Sequence, residues 1–220
     1  MKKWYSVIAI MFFAVLLKAQ VTDENAKQLL DAVKNKYTAY NSIQAEFKMT
    51  LVDKASDFTD VTEGKLYLKQ KMFKLDIGEQ EIMSNGKDLW IHLKSVKQVQ
   101  IQTYDKTTME ESFGIAPNEI FSINKDDFDY RLSGEKTINS QLCSEIELTP
   151  KDKEKFYYMV KLYVVKSNNE VVKAHFYEKD GIEYEFELLK QTPNTNLSDS
   201  FFIFDKSKYG NDLQVEDLRD

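Results

Sequence analysis

A period of two runs through most of this chain. In residues 45–51 the odd positions are apolar (Ala45, Phe47, Met49, Leu51) and the even ones polar. Leu66 and Leu68 alternate with Lys65 and Lys69, with Tyr67 sharing the outer side. Phe73, Leu75 and Ile77 alternate with Lys74 and Asp76, and Val99 and Ile101 with Gln98, Gln100 and Gln102. Val160, Leu162 and Val164 alternate with Lys161 and Tyr163, and in residues 182–188 Glu183, Glu185 and Glu187 all fall on one side. Such alternation marks strands with one buried and one wetted face, as in antiparallel sheets. Asn85-Gly86, Ser133-Gly134, Asn168-Asn169 and Asp180-Gly181 lie between the runs and provide the turn residues of hairpins. Successive hairpins make a meander, so one large sheet is the simplest architecture.

Ahead of the strands the period is helical. Ala26, Leu29, Leu30, Val33, Lys36, Tyr37 and Tyr40 share one stripe, Thr22 or Asp23 is placed to cap it, and Asn41-Ser42 ends it. The middle of the chain breaks the strand pattern again. Thr107 with Glu110 reads as a capping box, and residues 116–123 read as a second short helical turn with Pro117 near its start. Met109, Phe113, Ile115, Ile120 and Phe121 are more apolar than a surface loop requires. With the first helix, these segments are expected to cover the apolar face of the sheet.

The N-terminus bears on the compartment. Lys2 and Lys3 precede an apolar or small run over residues 7–17, and Lys18-Ala19-Gln20 closes it. The run falls short of the roughly 20 residues that span a bilayer and reads as a signal peptide, residues 1–19, the alternative being an uncleaved N-terminal anchor. Cleavage after Ala19 would leave 201 of 220 residues; removing three lysines and no acid would take the formal charge from −6 to −9. An acidic exported chain lacks the basic footprint that nucleic acid demands. Cys143 is the one cysteine, which excludes an intramolecular disulfide and a thiolate metal cluster. No cysteine follows the cleavage site, where a bacterial lipoprotein would carry its lipid, so a soluble protein of one domain, residues 20–220, is expected. Low Pro (3) and Gly (7) argue against a disordered or linker-rich chain.

Catalytic chemistry leaves no trace. His92 and His175 lie in strand-like runs without ligand spacing, and no metalloprotease, nucleophile-elbow, Walker or dinucleotide motif occurs. Asp126, Asp127 and Asp129 lack the Gly and distal Glu of a calcium loop, and the glutamates at 183, 185 and 187 form a solvent-facing row. A non-enzymatic protein without metal or cofactor is expected. The apolar face alone fits an ordinary core. A bound guest is favoured by inward positions rich in Phe, Met, Leu and Ile, by few and short covering helices, and by adaptable groups such as Met109 and Phe113 in the lid segment.

Residues 63–69 (Glu63-Gly64-Lys65-Leu66-Tyr67-Leu68-Lys69), then Phe73-Lys74-Leu75 and residues 82–90 with Asn85-Gly86-Lys87-Asp88-Leu89-Trp90, resemble the outer-membrane lipoprotein carrier family, LolA. Leu148-Thr149-Pro150-Lys151 is similar to a later step of that family, and residues 197–204, ending in Phe202-Ile203-Phe204, to its terminal strand. The resemblance implies a mainly β (α+β) fold: a strongly curved antiparallel sheet forming an incomplete β-barrel, with a helical lid on its concave face. It implies a periplasmic carrier of the acyl chains of triacylated lipoproteins. Its partners would be an inner-membrane lipoprotein-releasing transporter and an outer-membrane acceptor, and it would act as a monomer. A lipid- or lipoprotein-sensing regulatory module of the same fold is the alternative. Phe47, Met49, Leu51, Leu66, Leu68, Phe73, Leu75, Leu89, Ile91 and Leu93 would form the cavity wall, with Met109, Phe113, Ile120 and Phe121 in the lid. The family's latch arginine is replaced by Gln70, which cannot make a bidentate charged bond; Lys69 or Lys71 is the candidate substitute.

Overall fold

The computed structural model describes residues 23–107, 109, 121 and 123–219. The signal-peptide reading of residues 1–19 and the lid residues Phe113 and Ile120 lie outside them. Helix α1 (Glu24–Thr38) comes first, followed by strands β1 (Ile43–Asp53), β2 (Phe58–Lys69), β3 (Met72–Ile77), β4 (Gln80–Ser84), β5 (Asp88–Leu93) and β6 (Gln98–Thr103). After the central segment come β7 (Phe128–Ile138), β8 (Gln141–Pro150), β9 (Tyr157–Val165), β10 (Val171–Glu178), β11 (Ile182–Pro193) and β12 (Gln214–Asp217). They form one curved sheet in the order β12-β6-β5-β4-β3-β2-β1-β11-β10-β9-β8-β7. Every pairing is antiparallel except that of β12 with β6. Among the described residues β7 and β12 remain as separate edges, so the sheet is not closed into a barrel.

Asp23 supplies the N-cap. Its Oδ1 accepts from the backbone N–H groups of Asn25 and Ala26 at 3.0 and 3.2 Å, while Oδ2 accepts from Leu132 N on β7 at 2.8 Å. Capping and docking thus share one carboxylate, and the bond from Leu132, with those from Ala26 and Asn25, holds its pKa below the ordinary value. Ala26, Leu30, Val33 and Tyr37 form the buried stripe of α1 and join the main core with Ile146, Leu148, Val160, Leu162, Phe176, Phe186 and Leu188 of the sheet. The helix covers the β7–β11 half of the concave face. Only about 10 Å³ is left where Leu30 and Val33 meet Leu162 and Val171, at the lower limit for one water.

The convex face is not uniformly wet. After β11 the chain turns across it and packs Phe204, Tyr209 and Leu213 against Met83, Trp90, Val99 and Ile101. The segment is fastened by Tyr209 Oη donating to Glu81 at 2.5 Å, by Phe201 against Tyr67 and Lys74, and by β12 alongside β6. Trp90 therefore faces outward, and the apolar side of β6 faces the convex side. A second convex cluster joins Ile138, Cys143, Tyr163, Val165 and Val172; burial there pushes the Cys143 thiol up.

Three local expectations are corrected. Ser133-Gly134 is not a turn; it lies inside β7, where the register shifts between Leu132 and Gly134, so the extra residue forms a bulge. The β7–β8 turn is Asn139-Ser140, both with positive φ (48° and 63°). Residues 197–204 form no strand: a 3-10 turn (Asp199–Phe202) interrupts them, and Phe202 is fully buried. Finally, Asp105 rather than Thr107 starts the helical turn after β6, its carboxylate accepting from Thr107 N and its carbonyl from Met109 N.

Gly64 carries a constraint of close approach. It pairs with Phe47 across β1–β2, and a Cβ there would stand 2.5 Å from the Phe47 ring and 2.8 Å from the Asp76 carbonyl oxygen. Gly64→Ala is expected to cost about 1–3 kcal/mol through overpacking. Urea denaturation should show a lower midpoint at unchanged slope, whereas an unchanged midpoint would mean that Phe47 moves aside freely.

Candidate functional site

The register of the strands arranges the inward side chains in three rungs across the sheet. The first runs Ala45, Leu66, Leu75, Ile82, Ile91; the second Ile43, Leu68, Phe73, Ser84, Leu89; the third Phe47, Gly64, Ile77, Gln80, Leu93. At β6 they end on Gln100, Gln102 and Gln98, respectively. Ser84 is buried on the second rung but satisfied: its hydroxyl donates to Asp88 O and accepts from Gly86 N. From β1 to β5 the rungs are otherwise apolar apart from Gln80.

The expected wall residues fall unevenly on this lattice. Phe47, Leu66, Leu68, Phe73, Leu75 and Leu89 are buried in the main core, and Met49 and Ile91 pack half-buried against it. Leu51 and Leu93 are half-buried at the strand ends, outside that cluster. Of the expected lid, Met109 and Phe121 are buried in the same concave core, at 1% and 3% exposure. Among the described residues, helical structure over the concave face consists of α1 and the short turn that reaches Met109.

A cavity of about 630 Å³ opens at the β1–β2 end of the rungs. Tyr37, Thr38 and Tyr40 at the end of α1, Asn41 and Ser42 beyond it, Ile43, Leu68, Lys69, Gln70 and Phe121 line it. The periodicity could not place the helix end against the β2–β3 turn, because only the fold brings these segments together. Phe121 stacks on Tyr37 with ring centroids 4.6 Å apart. The Tyr37 hydroxyl donates to Gln191 Oε1 at 2.6 Å and accepts from Val171 N at 3.0 Å, and Gln191 in turn donates to the Val171 carbonyl. A buried hydroxyl thus pins the end of α1 to β10 and β11, and burial raises its pKa strongly.

The two latch candidates differ. Gln70 is exposed on the β2–β3 turn in a left-handed conformation (φ 54°). Lys69 Nζ donates to the Leu197 carbonyl and to Asp199 Oδ1, both at 2.7 Å, so its bonds go to the C-terminal segment. The glutamate row also has partners. Lys48 pairs with Glu187 at 3.1 Å, Lys173 with Glu185 at 2.7 Å, His175 with Glu183 at 3.1 Å, and Lys54 with Glu183. Among the described residues no group of three His, Cys, Asp or Glu side chains could hold a metal ion.

The chain thus combines an open curved sheet, a covering helix and a cavity of mixed apolar and polar lining. A family model described as outer membrane lipoprotein carrier protein LolA matches residues 38–205. The chain belongs to the LolA family. Its fold is similar to that of an uncharacterized conserved protein from Thermus thermophilus, 15% identical at a TM-score of 0.56, covering 88% of this chain and 98% of that one. It is similar also to LprF from Mycobacterium bovis (9% identity, TM-score 0.50, 80% and 96% covered). A LolA superfamily protein from Nitrosomonas europaea is 19% identical at a TM-score of 0.45, with 81% and 97% covered. No curated protein sequence matches this chain. At such identities the solved structures speak for the fold alone. Among the described residues of this LolA-family protein, no helix is long and apolar enough to cross a membrane.

Two predictions concern groups that border the concave face. Tyr37→Phe leaves Val171 N without its acceptor and should cost about 1–3 kcal/mol in chemical denaturation; a neutral result would mean that water replaces the hydroxyl. Glu178 ends β10 opposite Tyr157; burial, followed by the neighbouring Asp180, pushes its pKa up to about 7 from 4.5. A raised carboxyl holds its proton longer in the folded chain, so its stabilising contribution is complete below pH 4.5 and is lost as the pH rises through 7. Denaturation at stepped pH should show Glu178→Gln flattening the profile over that window. Parallel profiles for the two proteins would contradict the shift.

Proposed function

We propose that this protein is a periplasmic carrier that shelters the acyl chains of lipoproteins on their way from the inner to the outer membrane. The observation that carries this is the set of apolar rungs from β1 to β5, with a cavity of about 630 Å³ at their mouth. That volume lies within the range of about 300–1,000 Å³ typical of small-molecule sites. Each methylene exposed to water costs about 0.8 kcal/mol, so an acyl chain of about 16 carbons costs on the order of 12 kcal/mol. A triacylated protein therefore needs an apolar host to cross an aqueous space. No bond is made or broken in such a task, and we assign no catalytic residue, metal or cofactor. The host would take its cargo from a releasing transporter in the inner membrane and deliver it to an acceptor in the outer membrane. A lipid- or lipoprotein-sensing module of the same fold is the second reading and would call for a filled or shallow concave face; the packed wall at Phe73, Leu75 and Leu89 favours it, while the cavity beside Ile43 and Leu68 favours carriage.

Protein isolated from its own periplasm should carry triacylated lipoproteins in native mass spectrometry. An empty protein that also fails to release lipoproteins from inner-membrane vesicles would end this proposal. Leu68, 7% exposed, lies on the second rung and lines the cavity. Leu68→Glu puts a charge on the wall and is expected to abolish loading while the circular dichroism spectrum stays folded; full loading of the variant would move the cargo elsewhere.

A further inference from the structure

All three rungs change character at the same strand. Gln100, Gln102 and Gln98 stand opposite Ile91, Leu89 and Leu93, and each of the three residues is half-buried. Their orientation is fixed from the other side. Val99 is fully buried beneath Leu213 in the convex cluster and Ile101 packs against it, so the alternating glutamines must face the concave side. A slip of one residue would bury three amides under the C-terminal segment and expose Val99 and Ile101. At the edge beyond β6, Glu216 of β12 accepts from Gln98 Nε2 at 2.9 Å and from Gln100 Nε2 at 3.5 Å. Each amide nitrogen has two N–H donors, so Gln98 and Gln100 each keep one beyond that bond.

We infer that Gln98, Gln100 and Gln102 form a polar stop that reads the ester and amide carbonyls joining acyl chains to a lipid-modified cysteine, so that the wall prefers an acylated peptide to a free acyl chain. The inference rests on the carrier proposal and adds the position of the cargo's polar end. Four strand spacings separate β2 from β6, about 19 Å along a rung. That distance matches an extended palmitoyl chain. A purely apolar guest laid along the second rung would desolvate the amide of Gln102 and give it nothing to bond. A guest whose carbonyls arrive at β6 accepts from these donors, and its hydrocarbon occupies the apolar positions behind them. The three amides are neutral, which suits ester and amide groups, and the carboxylate of Glu216 stands behind them at the edge.

The test compares two probes on the full mature chain by fluorescence displacement: a dipalmitoylglyceryl-cysteinyl peptide and palmitate. The wild-type protein is expected to bind the lipopeptide at least about tenfold more tightly per acyl chain than palmitate. Gln100→Leu with Gln102→Leu should abolish that preference, weakening the lipopeptide about tenfold while palmitate binds as well or better; retained palmitate binding shows that the variant is folded. Equal binding of the two probes by the wild-type protein, or an unchanged preference in the double variant, overturns the polar stop and leaves the carrier proposal standing. Failure of the wild-type protein to bind either probe overturns both.

Discussion

Strict alternation of side chains across a strand is the constraint from which most of this structure follows. A residue committed to one face commits its neighbours to the other. Residues 197–213 use that rule to set the composition of a face they do not touch. By burying Met83, Trp90 and Val99 on the convex side, they hold Ile82, Leu89 and Ile91 on the concave side in register with Leu66, Leu68, Phe73 and Leu75. The same rule turns the glutamines of β6 inward. The wall and its polar boundary are thus products of one packing decision on the opposite surface.

An open sheet of this width must also protect its ends, since an unpaired edge invites strand addition. Asp23 occupies Leu132 N of the β7 edge while it caps α1. Just past that point the bulge at Leu132 and Gly134 disrupts the ladder, and Glu135 and Lys136 charge the remaining stretch. The far edge is a strand of only four residues, and Glu216 and Asp217 supply its charge.

The strands and the first helix were legible in the sequence because their signals are local. Period two at residues 45–51, 73–77 and 160–164 became strands with the expected inward residues, and Asp23 with the stripe from Ala26 to Tyr37 became a capped helix. Local signals failed where a distant partner decided the outcome. Ser133-Gly134 reads as a turn, but β8 continues past it and pairs on both sides, which makes a bulge. The aromatic run at residues 201–204 reads as a strand, yet its rings are drawn on to Tyr67, Lys74 and the cluster around Trp90. The inward parity of the strands was legible; the cavity was not, because it joins the end of α1 to a turn about 30 positions later, and of the ten expected wall residues Leu68 alone lines it.

Around the mouth, apolar contact counts for more than charge. The pair that would replace a charged latch, Lys69 with Asp199, joins a quarter-exposed lysine to a carboxylate that is 71% exposed, and such pairs contribute about 0–1 kcal/mol. It also ties the β2–β3 turn to the C-terminal segment, whereas Met109 is buried in the concave core and Phe121 stacks on Tyr37. Those side chains occupy the same apolar core that an acyl chain would enter. Under the carrier proposal, cargo and cover would therefore compete for one surface. The proposed carrier would then load without a strong latch to break. Its proposed preference among guests would depend on the polar positions of the wall, where a mismatch cannot be repacked away.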